Sequence, residues 1–289
     1  MRCETRNVKC KKENIMKKIN KLMSMMAVVG MGVGAAVAGD ANSVVVDGST
    51  TVGPIAKAFA EYYMGKHQGV SITVSESGSG NGAKSLINAA CDVATMSRPM
   101  KISEKKAAQE AGVLAIEYIV ALDGLAVIVH PSNSRGNLTI EQIRDIYTGK
   151  ITNWKELGGQ DQKIVVISRD TNSGTYESFN ELVMKGAKLK GGAEYVGSGG
   201  AIRQRVLSTE AAIGYVGLAF TEGVKTLQVN GVTPTAETVI DKTYPIARPL
   251  HMYTNGRPKE GTPLFGYVNL YKTDEGKRII EDTGFVPVK

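Results

Sequence analysis

Residues 44–51, VVVDGSTT, form a short β-branched run that ends in a Gly-Ser-Thr cluster, and apolar residues at helical spacing follow at residues 54–64. The pattern predicts a buried strand that passes through a tight turn into an amphipathic helix. Small residues let a backbone approach a ligand closely, and the first N–H groups of a helix have no intrahelical partner. The stretch therefore predicts an α/β unit whose turn can hold an anion.

Three more polar clusters stand at similar junctions. Residues 77–82 (SGSGNG) and 169–175 (RDTNSGT) open helical patterns, and residues 96–99 (MSRP) end a strand pattern with more charge and less glycine. Such junctions are where open α/β sheets bind ligands. Turns that converge on one point would surround an oxyanion with N–H and hydroxyl donors, and Arg169 would add a planar guanidinium. The sequence therefore predicts an oxyanion receptor.

The first 38 residues differ in composition from the rest of the chain. Residues 16–21 are basic, and residues 22–38 are 17 small or apolar residues without charge that end in Ala-Val-Ala. This pattern predicts a signal peptide cleaved after Ala38, preceded by an upstream extension before Met16. A retained membrane anchor is the alternative, although the run is short for a spanning helix. The protein is expected to be exported to the periplasm.

Charge and cysteine content change when this leader is removed. Residues 1–38 hold eight Lys or Arg and two Glu, a net charge of +6, so about +1 of the total +7 remains. Nucleic acid is therefore not an expected partner. Cys3 and Cys10 also lie in the leader, which leaves Cys91 alone. It is interpreted as a small buried apolar residue rather than a reactive thiol.

The remaining 250 or so residues could form two compact α/β domains or one large one. Residues 118–130 are a long apolar run, too long for one ordinary strand, and are a candidate for the passage from one domain to another. Residues 244–253, apolar apart from Arg248, are a candidate for the return crossing. One helical pattern is expected at residues 264–280 near the C-terminus.

Catalytic and metal-binding motifs are weak in this sequence. After the leader there is no nucleophile elbow, phosphate-binding P-loop or dinucleotide-binding glycine motif. His67, His130 and His251 stand apart from acidic or cysteine motifs, and no set of side chains has metal-ligand spacing. No catalytic residue, metal or cofactor is therefore predicted.

The four clusters, together with residues 123–126 (DGLA), 146–154 (IYTGKITNW) and 213–217 (IGYVG), resemble the phosphate-binding subunit of the phosphate ABC transporter in its shorter form. The resemblance implies an α/β, two-domain periplasmic-binding-protein fold of type II. Each domain would be a mixed sheet flanked by helices, with the ligand cleft between the domains. The expected domains are residues 39–121 plus 247–289, and residues 122–246.

Phosphate contacts are also implied by the resemblance, position by position. The expected phosphate-binding residues are Thr50, Thr51, Ser79, Ser97, Arg98, Arg169, Ser173, Gly174 and Thr175. Longer family members carry an aspartate where this chain has Ser97, so discrimination against sulfate is an open question. Arg98 is expected either to contact the anion or to form a salt bridge at the domain rim. Asp170 is interpreted as the residue that orients Arg169.

The implied function is high-affinity binding of inorganic phosphate outside the inner membrane, and delivery to the membrane permease subunits of an ABC transporter. The protein would act as a monomer and would not be an enzyme. One alternative is a binding protein for another tetrahedral oxyanion, such as sulfate, molybdate or tungstate. Another is an exported phosphatase with Ser79 or Ser173 as nucleophile, which would need a base within hydrogen-bond reach.

Overall fold

A computed structural model describes residues 42–288, so the predicted signal peptide and its extension lie outside the described residues. Twelve strands occur in this part of the chain: β1 Ser43–Gly48, β2 Ser71–Ser75, β3 Val93–Met96, β4 Ala115–Val129, β5 Asn137–Leu138, β6 Val165–Arg169, β7 Glu194–Val196, β8 Ala212–Gly217, β9 Lys225–Thr226, β10 Gln228–Val229, β11 Ala247–Asn255 and β12 Val286–Pro287.

Nine α-helices lie between these strands in the described residues: α1 Gly53–Lys66, α2 Ser79–Ile87, α3 Ile102–Glu110, α4 Ile140–Thr148, α5 Gly174–Phe179, α6 Gly199–Leu207, α7 Ala236–Ile240, α8 Pro263–Asn269 and α9 Asp274–Asp282. A π-helical turn, Asn180–Met184, continues α5. None of the helices in residues 42–288 has the length and apolar character needed to span a membrane.

One mixed sheet runs through the described chain in the order β2-β1-β3-β11-β4-β8-β6-β7. Strands β1, β2 and β3 are parallel, β11 is antiparallel to both β3 and β4, and β6 is parallel to β7 and β8. We call the β2-β1-β3-β11 side, with the first part of β4, lobe 1. The β8-β6-β7 side, with the last part of β4, is lobe 2.

Strand β4 joins the two lobes. Its residues up to Gly124 pair with β11, and its residues from Leu125 to Val129 pair with β8. The expectation that residues 118–130 are too long for one strand is wrong, because β4 is a single strand of 15 residues. This length is stable because each end of the strand completes its hydrogen bonds with a different partner.

The return crossing begins later than expected. Strand β11 starts at Ala247, whereas residues 244–246 lie outside it. Pro245 has no N–H group to donate to a ladder, which explains why the strand pattern fails there. Tyr244 instead donates its hydroxyl proton to the carbonyl oxygen of Leu125 at 2.8 Å, and the Leu125 N–H donates to the carbonyl of Ile246.

Both faces of the sheet are covered by apolar side chains in each lobe. Along β4 the side chains alternate between two cores of lobe 2, with Val127 and Val129 on one face and Ala126 and Ile128 on the other. This period of two is the strand geometry that a sheet buried on both faces requires.

The predicted strand-to-helix junctions are confirmed, since the four polar clusters lie between β1 and α1, β2 and α2, β3 and α3, and β6 and α5. The C-terminal expectation of one helical pattern at residues 264–280 is wrong, because α8 and α9 are separate helices. A 3₁₀ turn, Leu270–Lys272, ends the first. The hydroxyl of Thr273 then caps the second by accepting from the Gly276 N–H at 3.0 Å.

Candidate functional site

Arg169 is the last residue of β6 and is 1% exposed. Its Nε donates to the carbonyl of Val196 at 3.2 Å, and its Nη2 donates to the carbonyl of Gly197 at 2.7 Å. Asp170, the residue expected to orient Arg169, has its carboxylate 3.9 Å from Nη2. The two backbone carbonyls are closer, so they hold the guanidinium in place. Nη1 is buried and has no hydrogen-bond partner among the described residues. One edge of a fixed cation is thus available to a ligand.

The junction between β1 and α1 approaches this arginine from lobe 1. Thr50 accepts a hydrogen bond from Nη2 of Arg169 at 3.1 Å. The Ser49 hydroxyl accepts from the N–H groups of Thr51 and Val52 at 3.2 and 3.3 Å, which holds the turn in shape. The side chain of Thr51 is thereby directed across the cleft, where its hydroxyl oxygen lies 2.8 Å from that of Thr175.

Two buried serines complete the lobe 1 side. Ser79 is the first residue of α2, and its Oγ accepts from the Ser97 N–H at 3.1 Å. The two hydroxyl oxygens are 3.4 Å apart, and both side chains are fully buried. Ser79 follows β2 and Ser97 follows β3, so the parallel strands β1, β2 and β3 bring the threonines and both predicted serines to one edge of the sheet.

Helix α5 supplies the lobe 2 side. Ser173 is its N-cap and accepts from the Tyr176 N–H at 3.3 Å. The N–H groups of Gly174 and Thr175 lie in the first turn, where a helix offers them no carbonyl partner. A β-carbon at Gly174 would lie 2.7 Å from the Ser97 Oγ and closer still to that of Ser79. Glycine is therefore the residue that lets the two lobes meet here.

Two further bonds connect the lobes around the serines. The Gly80 N–H donates to the carbonyl of Asn172 at 3.0 Å, and the Ser178 hydroxyl donates to the carbonyl of Ser97 at 3.1 Å. The lobes are thus in direct contact on both sides of the predicted site. Eight of the nine predicted residues lie within this contact region.

Arg98 is the ninth, and it faces carboxylates. Nη1 and Nη2 donate to the two oxygens of Glu104 at 2.8 and 2.7 Å. Nε lies 2.8 Å from Oε2 of Glu177 in lobe 2, although the pair is not aligned as a hydrogen bond, and Lys101 Nζ lies 2.8 Å from the same oxygen. We call these four residues the rim latch. This arrangement favours the salt-bridge alternative for Arg98, and its phosphate contact stays a prediction.

A second buried arginine was missed by the sequence reasoning. Arg248 in β11 donates from Nε and Nη2 to Oδ2 of Asp123 at 3.2 and 3.0 Å. Nη1 donates to the carbonyl of Ser97 at 3.1 Å, and Nη2 donates to the Thr175 hydroxyl at 3.0 Å. The signal was present in the sequence, since each residue is a single charge within a long apolar run, and buried charges are normally paired.

Metal chemistry finds no support in the described part of the chain. Among residues 42–288, no three His, Cys, Asp or Glu side chains are grouped so that they could hold a metal ion. The contact region is instead lined by hydroxyls, N–H groups and one arginine edge. Such a donor set binds anions that have several acceptor oxygens.

Comparison with known proteins finds relatives that are phosphate-binding proteins. The sequence pattern of the PBP superfamily domain matches residues 34–268. The phosphate-binding protein PstS of Staphylococcus saprophyticus is 34% identical over 253 residues, which cover 83% of this chain and 78% of that protein. PstS of Borreliella burgdorferi is 31% identical over 256 residues, or 84% and 89% of the two chains.

Two solved structures similar to this chain are also described as phosphate-transport proteins. A protein from Clostridium perfringens, described as a phosphate ABC transporter substrate-binding protein and solved with bound phosphate, is 37% identical with a TM-score of 0.80. The match covers 86% of this chain and 100% of that one. An ABC-type phosphate transport receptor from Vibrio cholerae is 30% identical with a TM-score of 0.70, covering 84% and 99%.

Proposed function

Because the chain belongs to the PstS family of phosphate-binding proteins within the PBP superfamily, we propose that it binds inorganic phosphate outside the inner membrane and delivers it to ABC permease subunits. The observation that carries the proposal is the buried guanidinium of Arg169, whose Nη1 has no partner among the described residues. The charge of Arg248 is balanced by Asp123 at 3.0 Å, whereas the carboxylate that faces Arg169 among the described residues, that of Asp170, lies 3.9 Å away. A bound anion would supply the missing countercharge.

The proposed phosphate site comprises Thr50, Thr51, Ser79, Ser97, Arg169, Ser173, Gly174 and Thr175. Contacts between the lobes support this set, because hydroxyls, first-turn N–H groups and the arginine edge come from both sides of one cleft. Arg98 is assigned to the rim latch, with direct phosphate contact as the alternative.

The proposed domains are residues 39–121 plus 247–289, and residues 122–246. The change of partner along β4 after Gly124 supports a boundary close to this position, since β11 pairs on one side and β8 on the other. Periplasmic location after cleavage near Ala38, and action as a monomer, are part of the same proposal. Composition of residues 16–38 supports export.

The phosphatase alternative has little structural support. The histidines of the described chain have other partners: His67 stacks on Tyr63, His130 bonds to Ser132, and His251 lies 3.0 Å from Glu117. None of these contacts involves Ser79 or Ser173, so a histidine base is not in place for either serine. The chain, like its relatives, is a binding protein and not an enzyme.

Calorimetric titration of a chain that begins at Gly39 tests the proposal. We expect a dissociation constant in the micromolar range or below, which corresponds to about −8 kcal/mol or stronger. Sulfate, molybdate and tungstate are titrated as competitors, and release of phosphate from a chromogenic ester measures any phosphatase activity. Binding of another oxyanion without phosphate binding would overturn the ligand assignment, and steady ester hydrolysis would overturn the binding-only role.

A further inference from the structure

A buried ion pair lies directly behind the proposed anion site. Arg248 in β11 and Asp123 in β4 stand opposite each other in the antiparallel ladder that connects the two lobes. The carboxylate is fully buried and the arginine is 5% exposed. We call these two residues the hinge pair, because their strands are the ones through which the chain passes between lobe 1 and lobe 2.

The hinge pair is bonded to both sides of the site. Arg248 donates to the Ser97 carbonyl in lobe 1 and to the Thr175 hydroxyl in lobe 2. That hydroxyl in turn lies 2.8 Å from the hydroxyl of Thr51. Because Asp123 Oδ2 and Thr175 Oγ1 each lie 3.0 Å from Nη2 of Arg248, the two oxygens are at most 6.0 Å apart. A negative charge is therefore close to the ligand-binding hydroxyls.

The hydrogen bonds indicate that the carboxyl group of Asp123 is ionised. Its Oδ2 accepts twice from Arg248, and its Oδ1 accepts from the Leu218 N–H at 3.0 Å. Burial raises the pKa of Asp123 above its ordinary value, and the arginine and this N–H oppose the rise. Three donors around one carboxylate stabilise its charged form.

Two tyrosines, a histidine paired with a carboxylate and a second arginine also lie around the hinge pair. Burial raises the pKa of Tyr215 to about 12 and that of Tyr244 still higher, with the charge of Asp123 contributing to the second shift. Burial lowers the pKa of His251, against the opposing effect of its Glu117 partner. Arg169 keeps its charge, since an arginine remains protonated even when burial lowers its pKa.

We infer that the hinge pair sets the charge preference of the anion site. Arg248 supports the bound anion through Thr175, and Asp123 limits this support with its own negative charge. This inference rests on the proposed function, since it requires an anion between the lobes. Coulomb energy scales with the charge of the ligand, so the hinge pair acts about twice as strongly on a dianion as on a monoanion. Asp123 and Arg248 are thus positioning and charge-tuning residues without contact to the ligand.

Two isosteric or near-isosteric substitutions give opposite expectations. In Asp123→Asn the positive charge of Arg248 is no longer balanced, so dianions should bind about 5–10-fold more tightly and monoanions about 2–3-fold more tightly. In Arg248→Gln the carboxylate is unbalanced, and dianions should lose the larger factor. The double variant Asp123→Asn/Arg248→Gln carries no charge, and its preference between dianion and monoanion should return to within about twofold of the wild type.

The experiment measures dissociation constants of inorganic phosphate at about pH 6 and about pH 8, where the monoanion and the dianion predominate in turn. Sulfate is titrated at both pH values as a probe whose charge does not change. Asp161→Asn and Lys155→Met serve as controls, because they make the same net charge changes at an exposed ion pair of 2.9 Å. Surface charges are screened, so the controls should change each constant by less than about twofold.

An equal weakening of phosphate at both pH values in Asp123→Asn would overturn the inference, since a structural role would affect both ions alike. Thermal unfolding identifies a variant that does not fold. The other single variant then suffices to test the inference, because each variant has its own expected change in affinity. A wild-type chain that binds neither phosphate nor sulfate would overturn the proposed function and the inference together. Binding by the wild type with an unchanged preference in both single variants would overturn the inference alone.

Discussion

Nη2 of Arg169 lies 3.1 Å from the hydroxyl of Thr50, so the end of strand β6 in lobe 2 bonds to the turn before α1 in lobe 1. The two residues are 119 positions apart in the chain. Because the same guanidinium also donates to the carbonyls of Val196 and Gly197, its remaining edge is held in one orientation. The cation is therefore positioned for an anion at the meeting point of the lobes.

Replacement of Arg169 by lysine should weaken phosphate binding by about 10- to 100-fold, since charge-assisted hydrogen bonds contribute about 1.5–3 kcal/mol and an ammonium group cannot reproduce the planar fork. Ser173→Ala should cost less, because one hydroxyl among several donors is lost. Calorimetric titration measures both, with thermal unfolding as a check on the fold. Unchanged affinity in Arg169→Lys would exclude a forked contact between the arginine and phosphate.

Replacement of Gly174 by alanine should prevent the lobes from meeting. The added β-carbon would lie 2.7 Å from the Ser97 Oγ, whereas alanine is well suited to the first turn of a helix. Overpacking of this kind costs about 1–3 kcal/mol, and here the cost arises when the lobes close on the ligand, so we expect phosphate affinity to fall at least about tenfold with no loss of thermal stability of the unliganded protein. Gly200→Ala is the matched control, since its β-carbon at the start of α6 would meet only the Ser198 Oγ at 3.9 Å. Equal affinity of the two variants would contradict the close approach.

Replacement of Glu177 by glutamine should loosen the rim latch. The substitution removes the only carboxylate that lobe 2 contributes to this cluster of four residues. Because the pair with Arg98 is largely buried, we expect about a 3–10-fold faster release of phosphate in stopped-flow measurements. Glu110→Gln is the control, as its pair with Lys106 is exposed and lies within one helix. An identical release rate in both variants would show that the latch does not hold the lobes together.

Protonation of Glu104 at low pH should weaken the rim latch. Burial raises the pKa of Glu104, but the hydrogen bonds from Arg98 and the Lys101 N–H, together with the positive charges of both residues, outweigh burial, and the net shift is downward. A carboxyl whose pKa is lower in the folded state stabilises the protein above its unfolded pKa, and this contribution is lost as pH falls through the folded pKa. Urea unfolding between about pH 6 and about pH 3 should therefore show a smaller loss of stability in Glu104→Gln than in the wild type. Parallel pH profiles would contradict this assignment.

Replacement of Ser97 by aspartate should increase rejection of sulfate. A serine neither demands a proton on the ligand nor repels a dianion, so wild-type affinity for phosphate should change only modestly between about pH 6 and about pH 8. A buried carboxylate at this position would favour the protonated anion and leave a fully ionised oxygen without a partner. Competition titration with sulfate compares the two proteins. Strong sulfate exclusion by the wild type, unchanged in the variant, would assign discrimination to another group.

The sequence by itself predicted the local features of this protein. The β-branched runs and the polar clusters predicted the strand-to-helix junctions that the structure contains. The resemblance to the phosphate-binding family is confirmed by the family membership, and with it the type II two-domain fold. These features depend on residues close together in the chain, where side-chain size and hydrogen-bonding capacity act directly on the backbone.

Tertiary structure decided the features that depend on distant residues. The length of β4 follows from its pairing with both β11 and β8, and no local pattern contains that information. The balance between Arg248 and Asp123, 125 positions apart, exists only because two strands lie side by side. The rim latch of Arg98 with Glu177 likewise requires both lobes. Electrostatic energy depends on distance in space and on burial, so the partners of buried charges are set by the fold.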